Sequence, residues 1–219
     1  MRTIDLVGPL NSVEQKFAPA MLWTRGDTSL LTRHPRVAIV GTRAPSAEGE
    51  KRARRLVKEL VKIGAVVVSG LAEGIDTIAH SQTLALGGRT IAVLGTPLDQ
   101  TFPRTNASLQ ERIGEVDLLV SEFACGSKVS RGNFPRRNRT MALVSDASVI
   151  VEAGATSGTI SQGWEAIRLG RPLFLLKSLV ESGFGWPGEM IEHGAFVLNE
   201  MSDLLDVLPT DEFREAASF

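Results

Sequence analysis

"RVAIVGTR", residues 36–43, is an apolar run that stops on a glycine and hands over to a hydroxyl and an arginine. Its apolar residues do not alternate with polar ones, the pattern of a strand covered on both faces. Five further runs have the same character: "AVVVSGLAEG" (65–74), "TIAVLGTP" (90–97), "DLLVSE" (117–122), "SVIVEAG" (148–154) and "PLFLLK" (172–177). After the first, "SAEGEKRARRLVKELVKIG" (46–64) sets Ala53, Leu56, Val57, Leu60 and Ile63 on one helical face and stops at Gly64. Weaker helical periods over 76–86, 106–113, 138–144 and 159–169 keep the rhythm. Strand, glycine turn and helix, repeated, predict one doubly wound α/β domain: a mostly parallel, Rossmann-like sheet with helices on both faces.

Around that core, residues 1–35, which include "MLWTRGDTSLL", read as an extension that adds a strand and a turn and packs on the sheet. Residues 36–199 form the core, and 200–219 read as an acidic helix and tail. The chain of 219 residues is long enough for a substantial core. A single cysteine, Cys125, excludes an internal disulfide framework and points to a cytoplasmic protein. No signal peptide is read at the N-terminus, and no apolar run reaches the roughly 18 residues of a membrane span.

The net charge of -1 conceals an asymmetry. Residues 1–139 carry 20 Lys and Arg against 13 Asp and Glu, whereas residues 140–219 carry 4 against 12. Positive potential is therefore local, and a polyanionic partner is compatible with it.

In an open α/β sheet, ligands bind where strands end and helices begin. Three such turns stand out. In Gly41-Thr42-Arg43 the backbone can approach a ligand, Thr42 offers a hydroxyl and Arg43 a bidentate phosphate contact; a plain tight turn is the alternative. In "SGLAEGIDTIAH" (69–80), Ser69 and Gly70 open a turn that matches neither G-x-G-x-x-G nor the P-loop pattern. Asp76 and His80 lie one helical turn apart there, and a structural role outweighs an acid–imidazole pair. In "EAGATSGTIS" (152–161), Ser157, Gly158 and Thr159 suit either an anion or an ordinary helix cap.

Metal, catalytic and cofactor sites are not expected. His34, His80 and His193 are widely spaced, a second cysteine is missing, and no G-x-S-x-G elbow occurs.

From Phe123 to Ser145 the chain has no Asp or Glu, yet carries Lys128, Arg131, Arg136, Arg137 and Arg139. The last three sit in "NFPRRNR" (133–139), with Asn138 among them. Two readings stand. The cations track a phosphate backbone while Phe134 stacks a base, or Phe134 plugs the core and the arginines pair with the acidic C-terminal region.

The blocks "VAIVGTR", "VVSGLAEGIDTIAH", "TIAVLGTPLDQTFPRTN", "LLVSEFACG", "FPRRNRTMALVSDASVIVEAGATSG" and "GRPLF", in this order, resemble the DprA/Smf family of DNA-processing proteins over residues 20–198. The resemblance implies a non-catalytic protein that binds single-stranded DNA, assists transformation, loads a RecA-type recombinase and forms homodimers. It assigns DNA contact to Arg43, Arg131 and Phe134. Many members are expected to carry an N-terminal helical module and a C-terminal winged-helix-like module as well, and neither is expected within these 219 residues. The family pattern "LITARxALE" is replaced here by "TISQGWEAIRLG", which places Gln162, Gly163 and Trp164 where small or basic residues are common. The same segment loosely resembles the G-T-x-x-E turn of the LOG phosphoribohydrolases, which implies as an alternative a nucleotide binder or nucleoside monophosphate hydrolase. Against hydrolysis, Glu165 lies six residues after Thr159, not three.

Overall fold

The computed structural model describes residues 1–209, so the second half of the expected acidic helix and tail, 210–219, lies outside the described residues. Eight strands form a single sheet: β1 (Trp23–Gly26), β2 (Arg36–Val40), β3 (Val66–Ser69), β4 (Arg89–Leu94), β5 (Leu118–Ser121), β6 (Ala147–Ile150), β7 (Leu173–Leu176) and β8 (Phe196–Leu198). Their order is β1-β5-β4-β3-β2-β6-β7-β8, parallel throughout except for β1, which runs antiparallel to β5. The helices are α1 (Thr3–Val7), α2 (Ser12–Phe17), α3 (Ala47–Lys62), α4 (Ile75–Ala85), α5 (Ala107–Val116), α6 (Asn133–Leu143), α7 (Thr159–Arg168), α8 (Lys177–Val180), α9 (Gly185–Glu192) and α10 (Met201–Leu205). No helix among the described residues is long and apolar enough to cross a membrane.

The period of two along β2 explains its unbroken apolar character. Val37 and Ile39 pack on one side with Ala53, Val57 and Leu60 of α3 and Ala79 of α4. Ala38 and Val40 pack on the other side with Met141 of α6 and Ala166 of α7. With every side chain of the strand buried, no position is left for a solvated residue, and the sequence shows no alternation.

The strand order reverses at β2. From there the chain builds outward through β3, β4 and β5, returns across the sheet, and adds β6 on the other side of β2. At such a switch point the connections leave in opposite directions and open a crevice at the carboxyl edge.

At the opposite, amino edge, Asp146 fixes the same pair of strands. Its Oδ2 accepts the Arg36 N–H at 2.7 Å, its Oδ1 accepts Arg36 Nη2 at 3.1 Å, and its own N–H donates to the Arg36 carbonyl at 2.8 Å. Burial alone would raise the Asp146 pKa. The hydrogen bond with His34, the Arg36 charge and the Arg36 N–H outweigh it and hold the carboxyl below its usual value.

Asp146→Ala removes the carboxylate facing a buried guanidinium and is expected to cost about 3–5 kcal/mol in chemical denaturation. Because the folded carboxyl titrates below the unfolded value of about 3.9, its stabilisation is complete above that pH. It is lost as the pH falls through the folded value, a loss the variant does not show.

Candidate functional site: a crevice at the carboxyl edge of the sheet

The turn after β2 is clamped from two sides. Thr42 N–H donates to the Glu152 carbonyl after β6 at 2.7 Å, and Ile75 N–H at the start of α4 donates to the Thr42 carbonyl at 3.2 Å. A Cβ on Gly41 would lie 2.5 Å from Ile75 Cγ1, and one on Gly74, at φ +76°, would lie 2.4 Å from the Thr42 carbonyl oxygen. Both positions therefore require glycine. The Arg43 side chain leaves this turn exposed.

The clamp forms one wall of a cavity of about 570 Å³ lined by Gly41, Thr42, Arg43, Phe134, Arg137 and Asn138 among others. Ser157, Gly158 and Thr159 line the facing wall. Two turns singled out from the sequence thus meet "NFPRRNR" across one crevice. Asp76 is the one carboxylate on its lining among the described residues.

The third turn behaves differently. Ser69 is fully buried, and its hydroxyl donates to the Ile39 carbonyl at 2.7 Å inside the sheet, so it is not available to a ligand. Gly70 instead makes room for an arginine: a Cβ there would lie 1.4 Å from Arg137 Nη1. Arg137 is 7% exposed and donates to the Val93 carbonyl at 3.2 Å. Burial lowers its pKa and the neighbouring Asp76 carboxylate raises it, whereas Arg43 works with burial. For Asp76, burial raises the pKa and Arg137 pulls it back. His80, fully buried against the Thr90 hydroxyl at 2.8 Å, is pushed by burial to about 3 and is neutral. The sequence-level preference for a structural role at His80 agrees with this geometry.

The helix expected from about residue 138 starts earlier, at Asn133. Pro135 looks like a breaker, but in the first helical turn its missing N–H has no intrahelical acceptor to lose. This start puts Arg136, Arg137 and Arg139 on different faces of α6 and leaves Lys128 and Arg131 in the loop before it. Arg136 Nε pairs with Glu122 at 3.0 Å, and its guanidinium lies 5.1 Å from the centre of the Phe123 ring. Arg139 pairs with Glu165 at 2.8 Å and lies 5.2 Å from the Phe17 ring centre, away from the crevice. Arg137 and Asn138 line the cavity, with Asn138 Nδ2 at 3.5 Å from the Gly158 carbonyl. Lys128 and Arg131, in the loop before α6, are exposed and make no ion pair among the described residues. Arg43 makes none among them either.

Phe134 neither plugs the core nor stands free. Its ring packs on Gly95 after β4, half-buried, and is tilted against Phe102 with centroids 5.4 Å apart. Phe102 is 51% exposed, and with Phe134, Arg43 and Arg137 it lines a small recess beside the main cavity. Sequence reasoning missed Phe102, because a single aromatic in a loop has no periodic signal.

The start of α7 is a weaker anion cradle than its sequence suggests. The Thr159 N–H is taken by Ser157 Oγ at 3.2 Å, and the Thr159 hydroxyl donates to the Gly41 carbonyl at 2.9 Å. Ile160 and Ser161 N–H groups donate to the Ser157 and Gly158 carbonyls. At the start of α3, the Glu152 carboxylate already accepts the Ser46 N–H and hydroxyl at 3.0 and 2.8 Å. Positive potential at the crevice therefore comes from arginine side chains more than from helix ends.

The model of the DNA recombination-mediator protein A family matches residues 9–209. The chain belongs to this family. Among its members, the DNA processing protein DprA of Bacillus subtilis is 34% identical over 192 residues, 87% of this chain and 65% of its own length. Protein Smf of Synechocystis is 43% identical over 173 residues, 78% of this chain and 43% of its own length. The chain thus spans 43–66% of the length of the first curated relatives it matches. The crystal structure of DprA from Streptococcus pneumoniae superposes with a TM-score of 0.83 at 34% identity, covering 96% of this chain and 74% of that one. DprA from Helicobacter pylori, whose structure is described by its single-stranded DNA binding mode, gives 0.78 at 30% identity, covering 90% and 92%. The molybdenum cofactor carrier protein of Chlamydomonas reinhardtii, at 18% identity and 0.55, shares the fold.

The Gly70–Arg137 contact is testable in this family member by a double-mutant cycle on thermal stability. Gly70→Ala forces the guanidinium out and is expected to cost about 1–3 kcal/mol as an overpacked site. In an Arg137→Ala background the same substitution is expected to cost well under half as much.

Proposed function

We propose that the chain binds single-stranded DNA along the carboxyl edge of its sheet, without catalysis, and acts in the cytoplasm as a DprA/Smf-type mediator. In that role it assists DNA uptake and recombinase loading as a homodimer. Residues 36–199 form the binding core, with residues 1–35 packed on it.

The observation that carries the reading is the combination of free cations with an aromatic pair. Among the described residues Arg43, Lys128 and Arg131 have no acidic partner; Arg43 lines the recess of the Phe102–Phe134 pair, and Lys128 and Arg131 precede Phe134 in the chain. Unpaired cations neutralise phosphates and release the counterions condensed on the strand, and an aromatic face accepts any base. The relative from Helicobacter pylori, described by its single-stranded DNA binding mode, supports the same ligand.

The hydrolase alternative needs a carboxylate at the reacting centre. Glu165 is held by Arg139 at 2.8 Å and by Arg168 at 3.2 Å and is not on the cavity lining. The geometry favours binding over turnover.

For an oligo-dT titrated at several salt concentrations, Arg43→Ala and Arg131→Ala are each expected to flatten the plot of log K against log salt by about 0.7. Arg139→Ala is expected to leave the slope unchanged, because its guanidinium is already neutralised. Phe134→Ala and Phe102→Ala are each expected to weaken binding by about 1–3 kcal/mol with little change in slope. Equal salt effects at Arg43 and Arg139 would remove the distinction between the two faces of α6.

A further inference from the structure

Gln162, in the first turn of α7, lines the main cavity and is 1% exposed. Neither its Oε1 nor its Nε2 has a hydrogen-bond partner. Each unmade bond of a buried amide costs free energy, and natural structures keep few such groups. Its polar neighbours on the same lining are engaged with the backbone or with each other: Thr159 donates to Gly41, Ser157 holds the Thr159 N–H, and Asn138 reaches Gly158. Gln162 is the cavity side chain whose donor and acceptor are both idle.

We propose that Gln162 makes the polar contact to the edge of one nucleobase that enters this cavity. A primary amide presents a donor and an acceptor side by side in one plane. A phosphate offers acceptors only and would leave Oε1 unmet; a cation would leave Nε2 unmet. A base edge offers a neighbouring donor and acceptor and satisfies both atoms, as in the pairing of glutamine with adenine N6 and N7. The cavity, about 570 Å³, falls within the range of small-ligand sites. Its lining includes the exposed Arg43 and the buried Arg137, which supply the charge for the phosphate attached to such a base. The amide is closed to solvent in the free protein, so engagement takes a change of the Gln162 rotamer. Met141 of α6, which lines the same cavity, is an adaptable side chain that permits it.

The base comes either from a bound strand, in which case the inference rests on the strand-binding reading above, or from a free nucleotide. The test compares wild type, Gln162→Met and Gln162→Leu in the full chain. Each is titrated with oligo-dT, oligo-dA, matched oligonucleotides carrying abasic sites, and the four deoxynucleoside monophosphates, and its Tm is recorded. Both substitutions keep an apolar body and remove the amide, so Tm is expected to stay level or rise.

If a strand supplies the base, the preference for base-bearing over abasic oligonucleotides falls about tenfold in both variants, while abasic binding is unchanged. If a free nucleotide supplies it, monophosphate affinity falls about tenfold and oligonucleotide binding is unaffected. Unchanged affinity for every ligand overturns the role of Gln162 and leaves strand binding standing, provided Arg43→Ala still weakens the oligonucleotides. A drop in Tm with unchanged preferences assigns Gln162 to packing and likewise overturns it. Absence of binding to any ligand by wild type overturns both readings.

Discussion

The crevice depends on a backbone clamp with no room for a side chain. Thr42 donates to the chain leaving β6 and accepts from the first residue of α4, so the turn after β2 is tied to the elements on both of its sides. The absent Cβ atoms of Gly41 and Gly74 make those approaches possible. Any side chain at Gly41 would push β2 from β6 or α4 from the turn, and Arg43 would lose its place at the mouth. Asp146 fixes the same two strands at their amino ends, so the switch point is held at both edges of the sheet.

From that frame the electrostatics follow. The amino end of α3 is filled by Glu152, and that of α7 largely satisfies its own N–H groups. What remains for an anion is the charge of arginines, and geometry divides these into two kinds. Arg136 and Arg139 are held by carboxylates and aromatic faces and brace α6 against its neighbours. Arg43, Lys128 and Arg131 are solvent-exposed and unpaired among the described residues, with the tilted Phe102–Phe134 pair beside Arg43. Arg137 lies between these groups, buried in the space that Gly70 leaves.

The doubly wound architecture was legible because buried parallel strands suppress alternation, and β2, β3 and β6 are buried along their whole length. The family blocks extended that legibility to Arg43 and Phe134 at the crevice. Other features depend on the third dimension. The short β8 and the helices around it offer too few residues for a period to register. Pro135 disguised the first turn of α6. Ser69 is the last residue of β3, where a ligand-facing side chain is expected, yet its hydroxyl turns into the sheet. The acid-free run from Phe123 to Ser145 suggested one basic patch, but Glu122, next to it in sequence, and Glu165, on α7, neutralise two of its arginines in space. Phe102 gained meaning only through its contact with Phe134.

The central claim is that a nucleic-acid strand lies on the Arg43 side of α6, over the aromatic pair, and not on the Arg139 side. A crystal structure of the chain with a short oligo-dT tests it most directly. The account predicts a phosphate about 3 Å from the Arg43 guanidinium and a base stacked on the exposed edge of the Phe102–Phe134 pair. A strand lying along Arg139 and Arg168, with Arg43 left in solvent, would contradict it.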